Sequence, residues 1–191
     1  LAGVPYNAIN SMKMLDDLVD VNKANMMKAE KLASEVADSA KIKLTEPSLP
    51  EGSKPRGNYA NEVDRGIRRQ NQTADLFAEK GYDIKMLDEV DGGNGFGKNS
   101  TSNPDFLIEG NPFDCYSPEI NTSINNVSRT ISKKTKNQSE RIVLNLDDYP
   151  ADKVDDLISV LLRKTNSNGD LKYLQELFIV KDGTITKVFE R

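Results

Sequence analysis

The sequence predicts an α/β fold, in which a mixed sheet is flanked by helices on both faces and preceded by a small helical N-terminal segment. Helical and strand patterns alternate along residues 59–191, as expected for such a fold. One of the strands, 142–146, is apolar at every position except Asn145, a composition typical of a strand buried on both faces. No run approaches the roughly 18 apolar residues that cross a bilayer, so we expect no stable membrane insertion.

The N-terminal part reads as one helix over residues 10–43, because apolar residues recur there at three- and four-residue spacings. Residues 45–57 hold three prolines and two glycines in thirteen positions, which excludes a helix or a central strand. We therefore predict a helical segment (1–44), a linker (45–58) and one folded domain (59–191).

Within the domain, Gly81 ends the first helix, and the glycine-rich loop 91–97 is expected to be a mobile hairpin or lid. Two short strands turn back on each other at Gly110-Asn111, a natural hairpin turn. The predicted elements are helices 61–80, 123–136 and 152–164, and strands 82–87, 106–109, 112–116, 142–146, 177–180 and 185–189.

Composition limits the possible chemistry. The chain of 191 residues has no histidine and one cysteine, which excludes an internal disulfide, cysteine-rich or histidine-bound zinc and histidine-based catalysis.

The net charge of −4 argues against nucleic-acid binding, but the charge is unevenly distributed. Residues 54–69 carry +3 and residues 121–145 carry +4, whereas residues 83–114 carry −5. Basic faces beside an acidic centre suit a metal-dependent nuclease; two solvated helix faces are the simpler interpretation.

Two acidic residues stand out in the acidic stretch. Asp105 begins one strand of the predicted hairpin and Asp114 lies in the next, so antiparallel pairing brings them together. Opposed carboxylates are destabilising unless a cation lies between them, and Mg²⁺ binds one or two carboxylates with waters and phosphate oxygens. Alternatively, Asp105 only caps a turn after Pro104 and Asp114 faces solvent.

The motifs around these residues have a known counterpart. Pro104-Asp105 followed by Asp114 resembles the Pro-Asp … (Asp/Glu)-x-Lys pattern of restriction-endonuclease-like nucleases. More closely, residues 103–110, 113–118, 141–148 and 180–183 are similar to the C-terminal tRNA-nuclease domain of contact-dependent growth inhibition toxins and other polymorphic toxins. The resemblance covers residues 59–191 and does not reach residues 1–43, which in such toxins would be a delivery or entry segment.

This resemblance implies a restriction-endonuclease-like sheet and a metal-dependent endoribonuclease that cleaves tRNA, with Asp105 and Asp114 binding Mg²⁺ or another divalent cation. The lysine of the pattern is displaced, because Tyr116 stands two positions after Asp114. The following helix would then supply it from Lys134 or Lys133. Lys134 is the better candidate, since it lies three residues after the apolar Ile131 and points toward the sheet.

The helical glutamate of the family is replaced, because Gln70-Asn71-Gln72 stands where relatives often have Glu-Asn-Glu. Gln72 is the expected catalytic substitute, which could offer a carbonyl oxygen but no charge. Glu62 taking its place, a site with one acid fewer, and an inactivated variant remain alternatives. Five basic residues are expected to bind the phosphate backbone: Arg68, Arg69, Arg129, Lys136 and Arg141.

The resemblance further implies a cognate immunity protein as partner and allows a target-cell activating factor. Because the sequence starts at Leu1, we expect it to be the C-terminal piece of a larger secreted or surface-exposed protein that acts in the target-cell cytoplasm. Two alternatives stay open: a DNase toxin of the same fold and a non-catalytic binding module.

Overall fold

The computed structural model describes residues 6–40 and 45–191, with residues 6–10 and 34–40 described by their backbone alone. The chain divides into two compact units between Leu44 and Thr45. In the first unit, helix α1 (Tyr6–Ala40) overlaps the helix predicted over residues 10–43, of which residues 41–43 lie outside the described residues. No helix among the described residues is both long enough and apolar enough to cross a membrane.

The second unit follows the predicted order of a helix, three strands, a helix, a strand, a helix and two strands. Its elements are α2 (Arg65–Glu79), β1 (Ile84–Met86), β2 (Phe106–Ile108), β3 (Asn111–Tyr116), α3 (Ile124–Asn137), β4 (Arg141–Asn145), α4 (Ala151–Arg163), β5 (Glu176–Lys181) and β6 (Thr184–Glu190).

The six strands form one mixed sheet in the order β1-β2-β3-β4-β5-β6. Strands β1, β2 and β3 are antiparallel, β3, β4 and β5 are parallel, and β6 is antiparallel to β5. The two parallel connections run through α3 and α4, since parallel neighbours need a crossover. The predicted mixed α/β fold is confirmed.

Both faces of the sheet are buried. On one face, Ala74 and Phe77 of α2 pack in a cluster with Phe106 and Phe113. On the other face, α3 and α4 pack over a second cluster that includes Ile142. Neighbouring residues of β4 and β5 enter different clusters, which explains why these strands are continuous apolar runs.

Helix α2 begins four residues later than expected, at Arg65. Asp64 is its N-cap, and the Asp64 side chain accepts a hydrogen bond from the backbone N–H of Ile67 at 2.9 Å. Val63, inside the predicted helix 61–80, precedes this cap and is 74% exposed. At the other end, Gly81 has a φ of +87°, as predicted for a residue that terminates a helix.

The proline-containing segment 45–58, predicted as a linker, is part of the second unit. Thr45 is buried and donates a hydrogen bond to Glu176 at 2.8 Å. Arg56 forms a short parallel bridge with Lys85 of β1. Prolines forbid a central strand but permit an extended segment at a sheet edge, so this stretch covers part of the β1 edge.

Ion pairs connect α2 to the loop that precedes α4. Arg65 lies 2.8 Å from one carboxylate oxygen of Asp148, and Arg69 lies 2.5 Å from the other. Hydrogen bonds from Arg69 and, more weakly, from Arg65 outweigh the burial of this carboxylate and lower its pKa from 3.8 to about 2. Asp148 therefore stabilises the folded state whenever it is ionised.

Replacing Asp148 with Asn should lower the free energy of unfolding by about 1–2 kcal/mol at pH 7. Because the folded-state pKa lies below the unfolded one, the contribution is complete above about pH 5 and is lost as the pH falls toward 2. Urea unfolding at pH 7 and pH 2.5 measures this, with Asp156→Asn on the exposed side of α4 as control. Equal losses at both pH values would contradict the assignment.

Candidate active site

The register of the β2–β3 hairpin brings two aspartates together. Phe106 pairs with Phe113, which places Asp105 opposite Asp114, and the Asp105 N–H donates to the Phe113 carbonyl at 3.0 Å. Opposed residues of an antiparallel pair point to the same face of the sheet. The structure thus brings the two predicted metal ligands together.

The hairpin turn lies one residue earlier than expected, at Glu109-Gly110. Both residues have positive φ, 50° and 81°, as a two-residue type I′ turn requires. Glu109 tolerates this backbone because its buried carboxylate accepts hydrogen bonds from the N–H groups of Asp83 and Ser48, at 2.8 and 3.0 Å. These contacts fix the turn and with it the register of the hairpin.

The two carboxylates are close enough to perturb each other. Burial, the negative charge of Asp114 and a hydrogen bond with Asp114 raise the pKa of Asp105 well above its usual range. One oxygen of Asp105 accepts the N–H of Cys115 at 2.7 Å, which opposes this rise in pKa only in part. Asp114 itself is only 3% exposed. The hairpin therefore holds a half-buried acid, Asp105, against a buried one, Asp114, and the two repel each other when both are ionised.

Lys134 compensates one of the two acids. Its Nζ donates to Asp114 Oδ2 at 2.5 Å, from the face of α3 that packs on the sheet. Burial lowers the pKa of Lys134, but the charge of Asp114 and this hydrogen bond outweigh it, so the net pKa is raised. The predicted choice of Lys134 agrees with this geometry.

Asp105, Asp114 and Lys134 line one cleft of about 300 Å³. Gln70 of α2 and Gln138 just after α3 contribute amide groups to its wall. The remaining lining residues are Ala60, Ile67, Leu87, Glu89, Asn103, Pro104 and Cys115. An acid pair, one ammonium group and several amides can hold a hard cation and an anionic substrate.

Two predicted catalytic residues lie outside this cleft. Lys133 is exposed on α3 and lines a different cavity. Gln72 is exposed and accepts a hydrogen bond from Arg69 at 2.9 Å. Helical side chains rotate by about 100° per residue, so Gln72 lies on the opposite side of α2 from Gln70, which takes the place in the cleft. Glu62, the alternative acid, is exposed and bonds Asn71 at 3.3 Å.

The predicted phosphate-binding residues divide into two groups. Arg69 and Arg141 are held in ion pairs within the chain, Arg69 with Asp148 and Arg141 with the buried Glu176 at 3.1 Å. The other three are exposed and make no ion pair with any residue between 45 and 191: Arg68, Arg129 and Lys136.

Gln138 and Asn103 position the site and were not predicted from the sequence. The Gln138 side chain accepts the N–H of Asn103 at 2.9 Å, while the Gln138 N–H donates to the carbonyl of Lys134 at 2.7 Å. One residue therefore links the segment that leads into Asp105 to the helix that carries Lys134. Neither residue belongs to a periodic pattern, so the sequence offers no signal for this contact.

The glycine-rich loop, expected to be mobile, leads into Lys98, which is hydrogen-bonded to the end of α3. The Lys98 N–H donates to the Gln138 carbonyl at 2.8 Å, and the Lys98 ammonium lies 2.7 Å from Glu140. The last carbonyls of a helix lack partners within it, and the loop supplies donors for them. Lys98, which directly follows the loop, is thereby held against the end of α3.

The donor set fits a single hard cation. Among the described residues, protein donors hydrogen-bond to only one oxygen of Asp105 and one of Asp114. Carboxylate oxygens are ligands that Mg²⁺ accepts alongside several waters. Within the described ranges no cluster of three or more acidic, cysteine or histidine side chains is arranged to hold a metal, so such a cation would depend on these two carboxylates.

Replacing Asp105 with Asn should stabilise the fold at neutral pH. Since the folded-state pKa of Asp105 is raised, stability is lost as the pH rises above the usual aspartate value, and the neutral amide avoids that loss. We expect the free energy of unfolding in EDTA to rise by about 1–3 kcal/mol at pH 7. Near pH 4 the gain should be small.

Denaturant unfolding at both pH values measures this effect. The Asn carbonyl oxygen can still accept the N–H of Cys115, so the comparison isolates the charge. Asp91→Asn, in the exposed loop, is the control and should change little. A variant less stable than the parent at pH 7 would contradict the proposed repulsion.

Comparisons with known proteins agree on one relationship. Residues 102–185 match the family model of the contact-dependent growth inhibition CdiA C-terminal domain. A curated relative, the tRNA nuclease CdiA-2 of Burkholderia pseudomallei strain 1026b, is 39% identical over 88 residues, which are 46% of this chain and 2% of that protein. The chain therefore spans only a small part of that relative's length.

A solved structure shares the fold. The chain is similar to a chain in a CdiA-CT/CdiI toxin and immunity complex from Burkholderia pseudomallei, with a TM-score of 0.53 and 27% sequence identity. The match covers 73% of this chain and 100% of that one. The range matched by the family model, 102–185, contains Asp105, Asp114 and Lys134. We call these three residues the acid–ammonium group.

Proposed function

Because residues 102–185 match the family model of the CdiA C-terminal domain, we propose that this chain is a metal-dependent endoribonuclease that cleaves tRNA. The observation that carries the proposal is the Asp105–Asp114 pair with Lys134 in one cleft. The similarity to a tRNA nuclease adds the substrate class. The restriction-endonuclease-like relationship is part of this proposal.

Each residue of the group has a separate role. Asp105 and Asp114 would hold the divalent cation, which would supply Lewis-acid polarisation of the phosphate and activation of water for attack. Lys134, kept protonated by Asp114, places a fixed positive charge where negative charge develops on the phosphate. Gln70 and Gln138 offer amide groups to the substrate from the cleft wall.

The likeness to a toxin and immunity complex supports a biological setting. We propose that the chain is the toxic end of a larger secreted or surface-exposed protein and acts in the cytoplasm of a competing bacterium. A cognate immunity protein neutralises it in the producing cell. A target-cell activating factor belongs to the same proposal and is tested by comparing purified tRNA with a cell extract.

Cleavage of tRNA tests the catalytic assignment. The purified full chain with Mg²⁺ should convert total tRNA to discrete fragments, and Asp105→Asn or Lys134→Met should slow this by about 100-fold or more. Gln72→Ala and Lys153→Met, at exposed positions outside the cleft, are the controls and should cleave normally. Denaturing gels of timed samples give the rates.

The same assay distinguishes the alternatives. Cleavage of duplex DNA but not of tRNA would indicate a DNase toxin. Binding of tRNA with no cleavage by the parent chain would indicate a non-catalytic binding module, which Gln70 in place of an acid would favour.

Cation binding has a readout that does not depend on activity. Mg²⁺ or Mn²⁺ should raise the thermal midpoint of the parent chain, because a ligand that binds only the folded state stabilises it. The Asp105→Asn and Asp114→Asn variants should show little of this shift, whereas Asp91→Asn should show all of it. An equal shift in all four proteins would locate the cation elsewhere.

A further inference from the structure

A second cavity lies against the exposed side of α3. It has a volume of about 390 Å³ and is lined by Arg129, Lys133 and Lys136 of α3, by Lys164 just after α4, and by Asp170. We call this cavity the basic groove. Hydroxyl and amide groups of Ser128, Ser132 and Asn125 complete its wall.

The charge of the basic groove is largely uncompensated. Lys164 lies 3.7 Å from Asp170. Arg129, Lys133 and Lys136 make no ion pair with another residue in the described part of the chain. Like charges three and four positions apart destabilise a helix by a few tenths of a kcal/mol each. In a chain of net charge −4, this concentration of cations is not explained by folding stability.

The basic groove and the catalytic cleft share one helix. Lys134 points from α3 toward Asp114, while its neighbour Lys133 lines the groove. From Arg129 to Lys136 the helix rises by about 10 Å, which is the axial length of about three nucleotides of a stacked strand. At about 100° per residue, Arg129 and Lys136 lie on nearly the opposite side of α3 from Lys134. A polymer whose cleaved phosphate lies beside Lys134 therefore reaches this row with more distant phosphates, after passing around α3.

The arginines of α2 do not offer a comparable surface. Arg65 and Arg69 are bound to Asp148, which leaves Arg68 as the exposed cation of that helix. Basic side chains engaged in internal ion pairs contribute less to phosphate binding than unpaired ones. The phosphate-binding surface is therefore concentrated on α3.

We propose that the basic groove binds the RNA backbone away from the cleaved bond, with Arg129, Lys133 and Lys136 each contacting a phosphate. This inference rests on the proposed nuclease function and adds the path of the substrate to it. It assigns Lys133 to substrate binding and gives α3 two roles: catalysis on one side and backbone binding on the other.

RNA binding by matched triple variants tests the proposal. Both triples are made in the Asp105→Asn full chain, so that the RNA stays intact. The groove triple is Arg129→Gln, Lys133→Gln and Lys136→Gln. The control triple is Lys54→Gln, Lys80→Gln and Lys153→Gln, which removes the same charge from exposed positions outside the groove. Fluorescence anisotropy with labelled tRNA gives Kd over a range of salt concentrations, and circular dichroism checks folding.

The groove triple should raise Kd about 10-fold or more in 0.1 M salt. It should also reduce the slope of log K against log salt by about 2–3, since each lost phosphate contact removes about 0.7–0.9. The control triple should keep the parent slope. In the cleaving chain, the groove triple should raise KM and leave kcat unchanged, as expected for residues that bind without reacting.

Three results would overturn the proposal. Equal slopes for the two triples would show that the groove makes no phosphate contacts. Absence of tRNA binding by the Asp105→Asn parent would exclude an RNA path altogether. A groove triple that binds tRNA normally but loses affinity for poly-L-glutamate would identify a surface for an acidic protein instead. Failure of the nuclease proposal is separate: the parent would bind tRNA through the groove and not cleave it.

Discussion

The site depends on the register of one short hairpin. Strands β2 and β3 pair so that Asp105 faces Asp114, and a shift by one residue would turn one of them to the other side of the sheet. The turn at Glu109-Gly110 fixes this register, because the Glu109 carboxylate accepts hydrogen bonds from the N–H groups of Asp83 and of Ser48 in segment 45–58. The edge of the sheet thus controls the geometry of the cleft.

Repulsion between the two acids is tolerated because the surrounding fold is rigid. Both strands that carry them are covered by apolar clusters, and Lys134 neutralises only Asp114. The remaining electrostatic strain is therefore concentrated at Asp105. Proteins commonly retain such destabilising arrangements at functional sites, where the charge that weakens the fold is the charge that binds a ligand.

The helices, the strands and the direction of the Lys134 side chain could be predicted because they leave periodic signals in the sequence. A run of apolar residues predicted β4. The position of Lys134, three residues after Ile131, predicted that its side chain points toward the sheet. Contacts distant in sequence leave no such signal. Arg69 was predicted to bind phosphate, but its side chain is hydrogen-bonded to Asp148, which lies 79 positions away in the sequence. The sequence motif alone predicted Gln72 as the residue of the site. The position of α2 in the fold places Gln70 in the cleft instead, and the motif does not contain that information.

The glutamine in the cleft has a consequence for the charge balance of the proposed reaction. Asp105, Asp114 and Lys134 together carry a formal charge of −1 when all are ionised. One divalent cation makes the site +1, which a phosphodiester of charge −1 neutralises, whereas two cations would leave +3 before substrate binds. A glutamate at position 70 would supply the additional negative charge that a second cation needs. With Gln70 there, the charge of the acid–ammonium group by itself would favour one cation, and Glu89 is the one further acid in the cleft lining that could offset part of a second.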